Sequence, residues 1–323
     1  MIFCKCCYNL QIYYYLCNGI TNYSNFMIQT TLRGLGVALI TPFKQDDSVD
    51  YTALLRMVDY LVLNNVDFLC VLGTTAETPT LTDYEKEKVK ETVIERVNGR
   101  VPVLLGVGGN NTRGVTDALK NGNYKGVDAI LSVVPYYNKP SQEGIYQHYK
   151  AISESTELPL VLYNVPGRTG MNMTAETTLR IANDFKNVIA VKEASGNMTQ
   201  IDDIIKNRPE GFNVISGDDG ITYPLITMGA VGVISVIGNA FPREFGRMTR
   251  LALQGDYSNA LTIHHKFTEL FKLLFVDGNP AGVKAMLHAM GMIENKLRLP
   301  LVPTRITTFE AMRKILNELN IKC

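Results

Sequence analysis

At 323 residues, with 46% hydrophobic and 20% charged residues, the chain has the composition of an ordinary globular protein and enough length for one large domain or two smaller ones. Its 32 Lys and Arg nearly balance 31 Asp and Glu, which argues against a nucleic-acid or anionic-membrane partner and leaves a small neutral or anionic substrate open. Of the cysteines, Cys4, Cys6, Cys7 and Cys17 crowd one end, Cys323 is terminal and only Cys70 lies in the body, so no disulfide framework is expected and a reducing, cytoplasmic compartment is.

Residues 1–26 form an atypical N-terminal tail, rich in Tyr and Cys, with Lys5 as its single charge. Asn9, Gln11 and Asn18 interrupt the apolar run, so neither a signal peptide nor a membrane span is expected. The composition changes abruptly at Met27, the expected start of translation. Cys4, Cys6 and Cys7 have no second Cys or His pair at ligand spacing, so no metal site is expected there.

From Gly34 onward, short runs of Val, Ile and Leu alternate with segments of helical period. The pattern predicts strands at 35–41, 68–73, 101–107, 129–134, 159–164, 188–193, 212–216 and 231–236. Helices are predicted between them at 50–64, 82–97, 112–122, 142–155, 174–184, 199–207 and 219–228. Asp50, Thr82, Thr112, Ser141 and Thr174 stand where side-chain caps are needed. Eight strand and helix units over residues 27–240 predict an α/β fold, a closed (β/α)8 TIM barrel. An open doubly wound sheet loses support because Ile40-Thr41-Pro42-Phe43, not a glycine-rich loop, follows the first strand. Residues 241–323 read as a C-terminal helical region, with helices at 242–255, 257–275, 280–290 and 307–319.

In such barrels the chemistry sits at the carboxyl ends of the strands. Lys192 follows an apolar strand and by alternation shares a face with Val188 and Ala190, pointing into the barrel. A desolvated lysine is the kind that attacks a ketone carbonyl to form an imine. The competing structural role is an ion pair with Glu193, which alternation places on the opposite face. Tyr163 shares the parity of Val161 on the neighbouring strand, and its phenol can move a proton if a hydroxyl relay through Thr74 and Tyr137 links it to solvent. Both tyrosines alternatively serve as amphipathic packing at the rim. Arg168, in a Pro166-Gly167-Arg168 turn, either grips a substrate carboxylate with two parallel hydrogen bonds or is a solvated loop residue. His148, His264, His265 and His288 fall in predicted helices, so neither a histidine base nor a metal site is indicated.

Five ordered motifs complete the picture: Gly73-Thr74-Thr75-Ala76-Glu77, Pro135-Tyr136-Tyr137-Asn138-Lys139-Pro140, Tyr163-Asn164-Val165-Pro166-Gly167-Arg168-Thr169-Gly170, Val191-Lys192-Glu193-Ala194-Ser195-Gly196 and Ser216-Gly217-Asp218-Asp219. From about Leu32 onward the chain resembles the pyruvate-dependent class I aldolase superfamily, and within it the dihydrodipicolinate synthase family. The resemblance implies that Lys192 forms a Schiff base with pyruvate. It makes Tyr163, Thr74 and Tyr137 the proton relay, with Tyr137 reaching across from a partner subunit of a homotetramer. It also implies that Thr75, Ile234 and Gly217 help hold pyruvate and that Arg168 meets the carboxylate of L-aspartate 4-semialdehyde, on the diaminopimelate route to lysine. No metal or organic cofactor is implied, because the protonated imine is the electron sink. N-acetylneuraminate lyases and 2-keto-3-deoxy sugar-acid aldolases share the lysine and tyrosine, and a non-catalytic barrel that binds a 2-oxo acid would keep Lys192 alone. Arg168 favours the semialdehyde, and the complete Thr74, Tyr137 and Tyr163 set favours turnover.

Two positions depart from the family pattern. Ala76 stands where glycine is usual, with little effect expected. Asp83, Lys86 and Gly114 occupy positions that bind lysine in feedback-inhibited members, with only Asn110 retained, so weak or absent feedback is expected.

Overall fold

A computed structural model describes residues 32–319; the tail 1–26, its cysteines and Met27 lie outside the described residues. Eight parallel strands close into a barrel in chain order: β1 Gly34–Ala38, β2 Phe68–Val71, β3 Val103–Gly106, β4 Ala129–Val133, β5 Leu160–Asn164, β6 Val188–Glu193, β7 Asn213–Ser216 and β8 Gly232–Ser235. The closing ladder pairs Gly34 with Gly232 and Val37 with Ser235, so no edge is left open. Several strands are shorter than their apolar runs at one or both ends; β3, for example, spans Val103–Gly106 within the run 101–107.

The intervening helices are α1 Tyr51–Leu63, α2 Asp83–Val97, α3 Thr112–Asn121, α4 Gln142–Ser153, α5 Ala175–Asp184, α6 Met198–Asn207 and α7 Thr222–Met228. Four expected caps form: Asp50 accepts from Ala53 N at 2.9 Å, Ser141 from Gly144 N at 3.1 Å, Thr174 from Thr177 N at 3.3 Å, and Thr82 makes a reciprocal capping box with Glu85. Thr112 does not cap. It is the first residue of α3, after Asn111, which makes no side-chain cap bond, and its hydroxyl instead meets His148 Nδ1 at 2.9 Å. The segment 219–228 divides into a 3-10 turn Asp219–Ile221 and α7. Asp219 Oδ2 accepts from Val236 N at 3.0 Å and Ile237 N at 2.7 Å, holding the turn that follows β8.

Alternation sorts the strand residues into two layers. Cys70, Leu104, Leu131, Val161, Tyr163, Ile215 and Ile234 fill the barrel interior. Leu69, Val71, Leu105, Ile130, Leu162, Val191 and Val214 face the helices. Val188 breaks the expected parity. The β5–β6 ladder pairs Leu160 with Val188 but Val161 with Ala190; this irregularity sends Ile189 and Ala190 inward and leaves Val188 in the outer layer. Lys192 keeps its inward position because its pairing lies beyond the irregularity.

After β8 come α8 Pro242–Leu253, α9 Tyr257–Val276, α10 Ala281–Ala289 and α11 Ile306–Glu318. Phe245, Met248, Phe267, Leu270, Met286 and Leu316 join the same outer core as the barrel helices. None of the helices among the described residues is long and apolar enough to cross a membrane.

Candidate active site

Neighbouring strands bring Tyr163 and Lys192 together: they are register partners on β5 and β6, and Lys192 Nζ lies 4.2 Å from the centre of the Tyr163 ring. Both are buried, at 6% and 5% exposure. One residue on, Glu193 points the other way. It is fully buried, where Asn164 Nδ2 donates to Oε2 at 3.1 Å and Ser195 N to Oε1 at 2.7 Å. Burial pushes its carboxyl up despite these donors. Among the described residues Lys192 forms no ion pair with Glu193, so the competing structural role of that pair has no geometry here.

Thr74 and Thr75 sit in a 3-10 turn, Thr74–Ala76, directly after β2. The turn is held by residues far away in sequence. Leu72 (φ 56°) and Glu77 (φ 55°) bracket it in left-handed conformations, sparsely populated for non-glycine residues. Glu77 is locked by a fully buried ion pair with Lys284 on α10 and by Arg298 N, which donates to Glu77 Oε2 at 3.1 Å. Burial drives the Lys284 ammonium down to about 8, with Glu77 opposing the shift.

Behind Lys192, Gly217 follows β7. A Cβ there would lie 3.2 Å from Lys192 Cε and 2.8 Å from Ala194 Cβ, so only glycine lets the lysine stem pass unmoved. Ile234 is 1% exposed in the interior layer of β8. Cys70 is also inside the barrel, and burial pushes its thiol up.

The loop after β4 presents two tyrosines differently. Tyr136 faces the cavity of its own chain, whereas Tyr137 is 89% exposed with a left-handed backbone (φ 68°). Arg168 occupies a single helical turn, Pro166–Thr169, with Nη2 3.5 Å from Asn279 O.

A cavity of about 400 Å³ opens at this end of the barrel, with Thr74, Tyr136, Tyr163 and Arg168 in its wall. Lys192 is one contact deeper, against Tyr163, and Gly217 is against Lys192. Tyr137 is not part of this wall. Asn279, Pro300 and Leu301 from the C-terminal region also line the cavity. Local periodicity gives no sign of them, because loop positions 60 or more residues beyond the last strand-end motif, which ends at Asp219, carry none; the run Gly278-Asn279-Pro280 between two helical segments is the one available signal. Among the described residues no group of three His, Cys, Asp or Glu side chains could hold a metal ion.

The chain matches the model of the dihydrodipicolinate synthetase family over residues 31–319. It belongs to that family. It is 80% identical to the 4-hydroxy-tetrahydrodipicolinate synthase of Phocaeicola vulgatus over 297 residues, 92% of this chain and all of that one. The crystal structure of dihydrodipicolinate synthase from Aquifex aeolicus superposes with a TM-score of 0.87 at 41% identity, covering 90% of this chain and 99% of that one. A structure described as the first monomeric dihydrodipicolinate synthase variant superposes with a TM-score of 0.88 at 44% identity, covering 91% and 98%. Tyr163 and Lys192 stand near the carboxyl ends of β5 and β6, and Arg168 in the turn that follows β5.

Proposed function

We propose that the chain condenses pyruvate with L-aspartate 4-semialdehyde as a 4-hydroxy-tetrahydrodipicolinate synthase, through a Schiff base on Lys192. The observation that carries this is the buried Tyr163–Lys192 contact beside a cavity whose wall also holds the Arg168 guanidinium.

The Lys192 amine adds to the C2 carbonyl of pyruvate, and loss of water gives a protonated imine. That imine draws electrons from C3, so a C3 proton leaves and an enamine forms. The enamine carbon attacks the aldehyde carbon of the semialdehyde, whose oxygen takes a proton. The substrate's own amino group then adds to C2 and displaces Lys192, closing the ring. Tyr163 is placed to relay these protons because its ring already lies against Nζ; Thr74, in the same cavity wall, extends the relay.

Arg168 supplies a guanidinium at the cavity rim for the semialdehyde carboxylate. Thr75, Ile234 and Gly217 hold the pyruvate end, Gly217 by leaving room beside the lysine stem. Tyr137 completes the relay in a neighbouring subunit: an aromatic side chain at 89% exposure on a left-handed backbone suits a group awaiting a partner. A homotetramer of tight dimers and residence in the cytoplasm belong to the same proposal, as does a boundary near 240 between barrel and C-terminal helices.

The test supplies pyruvate with L-aspartate 4-semialdehyde, N-acetylmannosamine or glyceraldehyde and follows products by mass spectrometry. Product from the semialdehyde alone is expected, lost in Arg168→Met at low semialdehyde. Product only from a sugar aldehyde moves the assignment to the sugar-acid aldolases, and none at all moves it to a binding barrel.

A further inference from the structure

Asn279 lies between α9 and α10, outside every strand-end motif, yet it contacts both Thr75 and Arg168. Its Nδ2 donates to Thr75 Oγ1 at 3.0 Å across 204 residues of sequence. Its backbone oxygen accepts from Arg168 Nη2 at 3.5 Å. The residue is 6% exposed, and it lines the cavity together with Arg168.

A hydroxyl has one proton to give and two lone pairs to fill. With Asn279 Nδ2 occupying one lone pair of Thr75 Oγ1, the threonine proton has to be donated elsewhere. We infer that Asn279 is a positioning residue that fixes the Thr75 hydroxyl as a hydrogen-bond donor to the carboxylate of the 2-oxo acid, while its backbone oxygen steadies the guanidinium that receives the second substrate. The inference rests on the assignment of Thr75 to pyruvate and Arg168 to the semialdehyde made above.

The direction of the Asn279–Thr75 bond decides the matter. With the amide as placed, Asn279 Oδ1 is buried without a partner. Flipping the amide would make Thr75 the donor to Asn279 and put a buried NH2, with two protons to satisfy, in that partnerless position. An unsatisfied carbonyl lone pair is the less costly defect, so the placed direction is preferred. The orphaned Oδ1 is then the penalty for aiming the threonine proton at a ligand.

Asn279→Asp tests this by offering Thr75 an acceptor in place of a donor and adding negative charge near the pyruvate carboxylate. Steady-state kinetics with each substrate varied separately, melting temperature, and borohydride trapping of pyruvate would be recorded for Asn279→Asp, Asn279→Ala and Thr75→Val. The expected result is a pyruvate KM raised about tenfold or more in Asn279→Asp, the size of one lost hydrogen bond to a charged group. A smaller rise, about threefold, is expected in Asn279→Ala, where a water can take the amide's place. kcat at saturating pyruvate should stay within about threefold of wild type, since no reacting atom is touched. A role in folding alone would lower the melting temperature and leave the pyruvate KM unchanged. An unchanged pyruvate KM in Asn279→Asp overturns the inference, and if that variant does not fold, an unchanged value in Asn279→Ala does so. Thr75→Val separates the two levels. If it raises the pyruvate KM while the Asn279 variants do not, this inference alone fails; if Thr75→Val leaves it unchanged, the assignment of Thr75 to pyruvate fails, and this inference with it.

Discussion

Tyr163 and Lys192 face each other across one rung of a parallel ladder, with Nζ 4.2 Å from the centre of the phenol ring. The hydroxyl of Tyr163 is the group that matters for proton transfer, and Tyr163→Phe removes it while keeping the ring that packs on the lysine. That substitution is expected to lower kcat by about 10²- to 10⁴-fold and to leave the melting temperature unchanged. Stopped-flow and thermal melts on the same preparation check both; a kcat within about twofold of wild type would take Tyr163 out of the relay.

Glu77 and Lys284 join the loop after β2 to α10 through a fully buried ion pair. Removing either partner leaves an uncompensated buried charge, which costs roughly 3–5 kcal/mol. Lys284→Met and Glu77→Gln should each lose stability of that order by urea denaturation, and the double variant should recover much of it. Activity should fall with them even where the fold survives, because the turn carrying Thr74 and Thr75 is anchored by Glu77.

His148 is 3% exposed, and burial holds its imidazole down to about 4. An unfolded histidine titrates near 6.5, so between these values the unfolded chain binds the extra proton. Stability therefore falls as pH drops through about 6.5 to 4, by roughly 3 kcal/mol for this group. Asp219, pushed up to about 6 by burial, works in the opposite sense from about pH 6 downward, over most of that range. The difference between wild type and His148→Gln isolates the histidine: as pH falls from about 6.5 to 4 the variant should lose less stability than wild type, and equal slopes would contradict the assignment.

Feedback by lysine is expected to be weak or absent. Asn110 and Gly114 line a second, smaller cavity of about 200 Å³, but Lys86 and Asp83 are engaged with each other at 3.0 Å on the surface of α2, the aspartate side chain fully exposed. Initial rates at low-millimolar lysine should match those without it; a sharp fall would show that other residues build the regulatory site.

The strand-end motifs were legible because each combines an apolar strand with a local run of polar residues, and the eight runs of Val, Ile and Leu were enough to set the barrel. Alternation placed Lys192 and Tyr163 correctly but misplaced Val188, since a ladder irregularity depends on how two strands meet and not on either alone. Thr112 read as a cap because Ser and Thr before a helix commonly are; here the helix starts one residue early and the hydroxyl serves His148. Asn279 had only a loop run, Gly278-Asn279-Pro280, to mark it, and nothing local marked Lys284 or Arg298. Their partners Thr75 and Glu77 lie more than 200 residues away, and only closure of the barrel and docking of the C-terminal helices bring them within reach.

The measurement that tests the central claim most directly is borohydride reduction of the protein in the presence of pyruvate, followed by peptide mapping. One reduced pyruvyl adduct on Lys192 is predicted, absent without pyruvate and absent in Lys192→Arg. Failure to trap any adduct in the folded, active protein, or an adduct confined to another lysine, would contradict Schiff-base chemistry at this site.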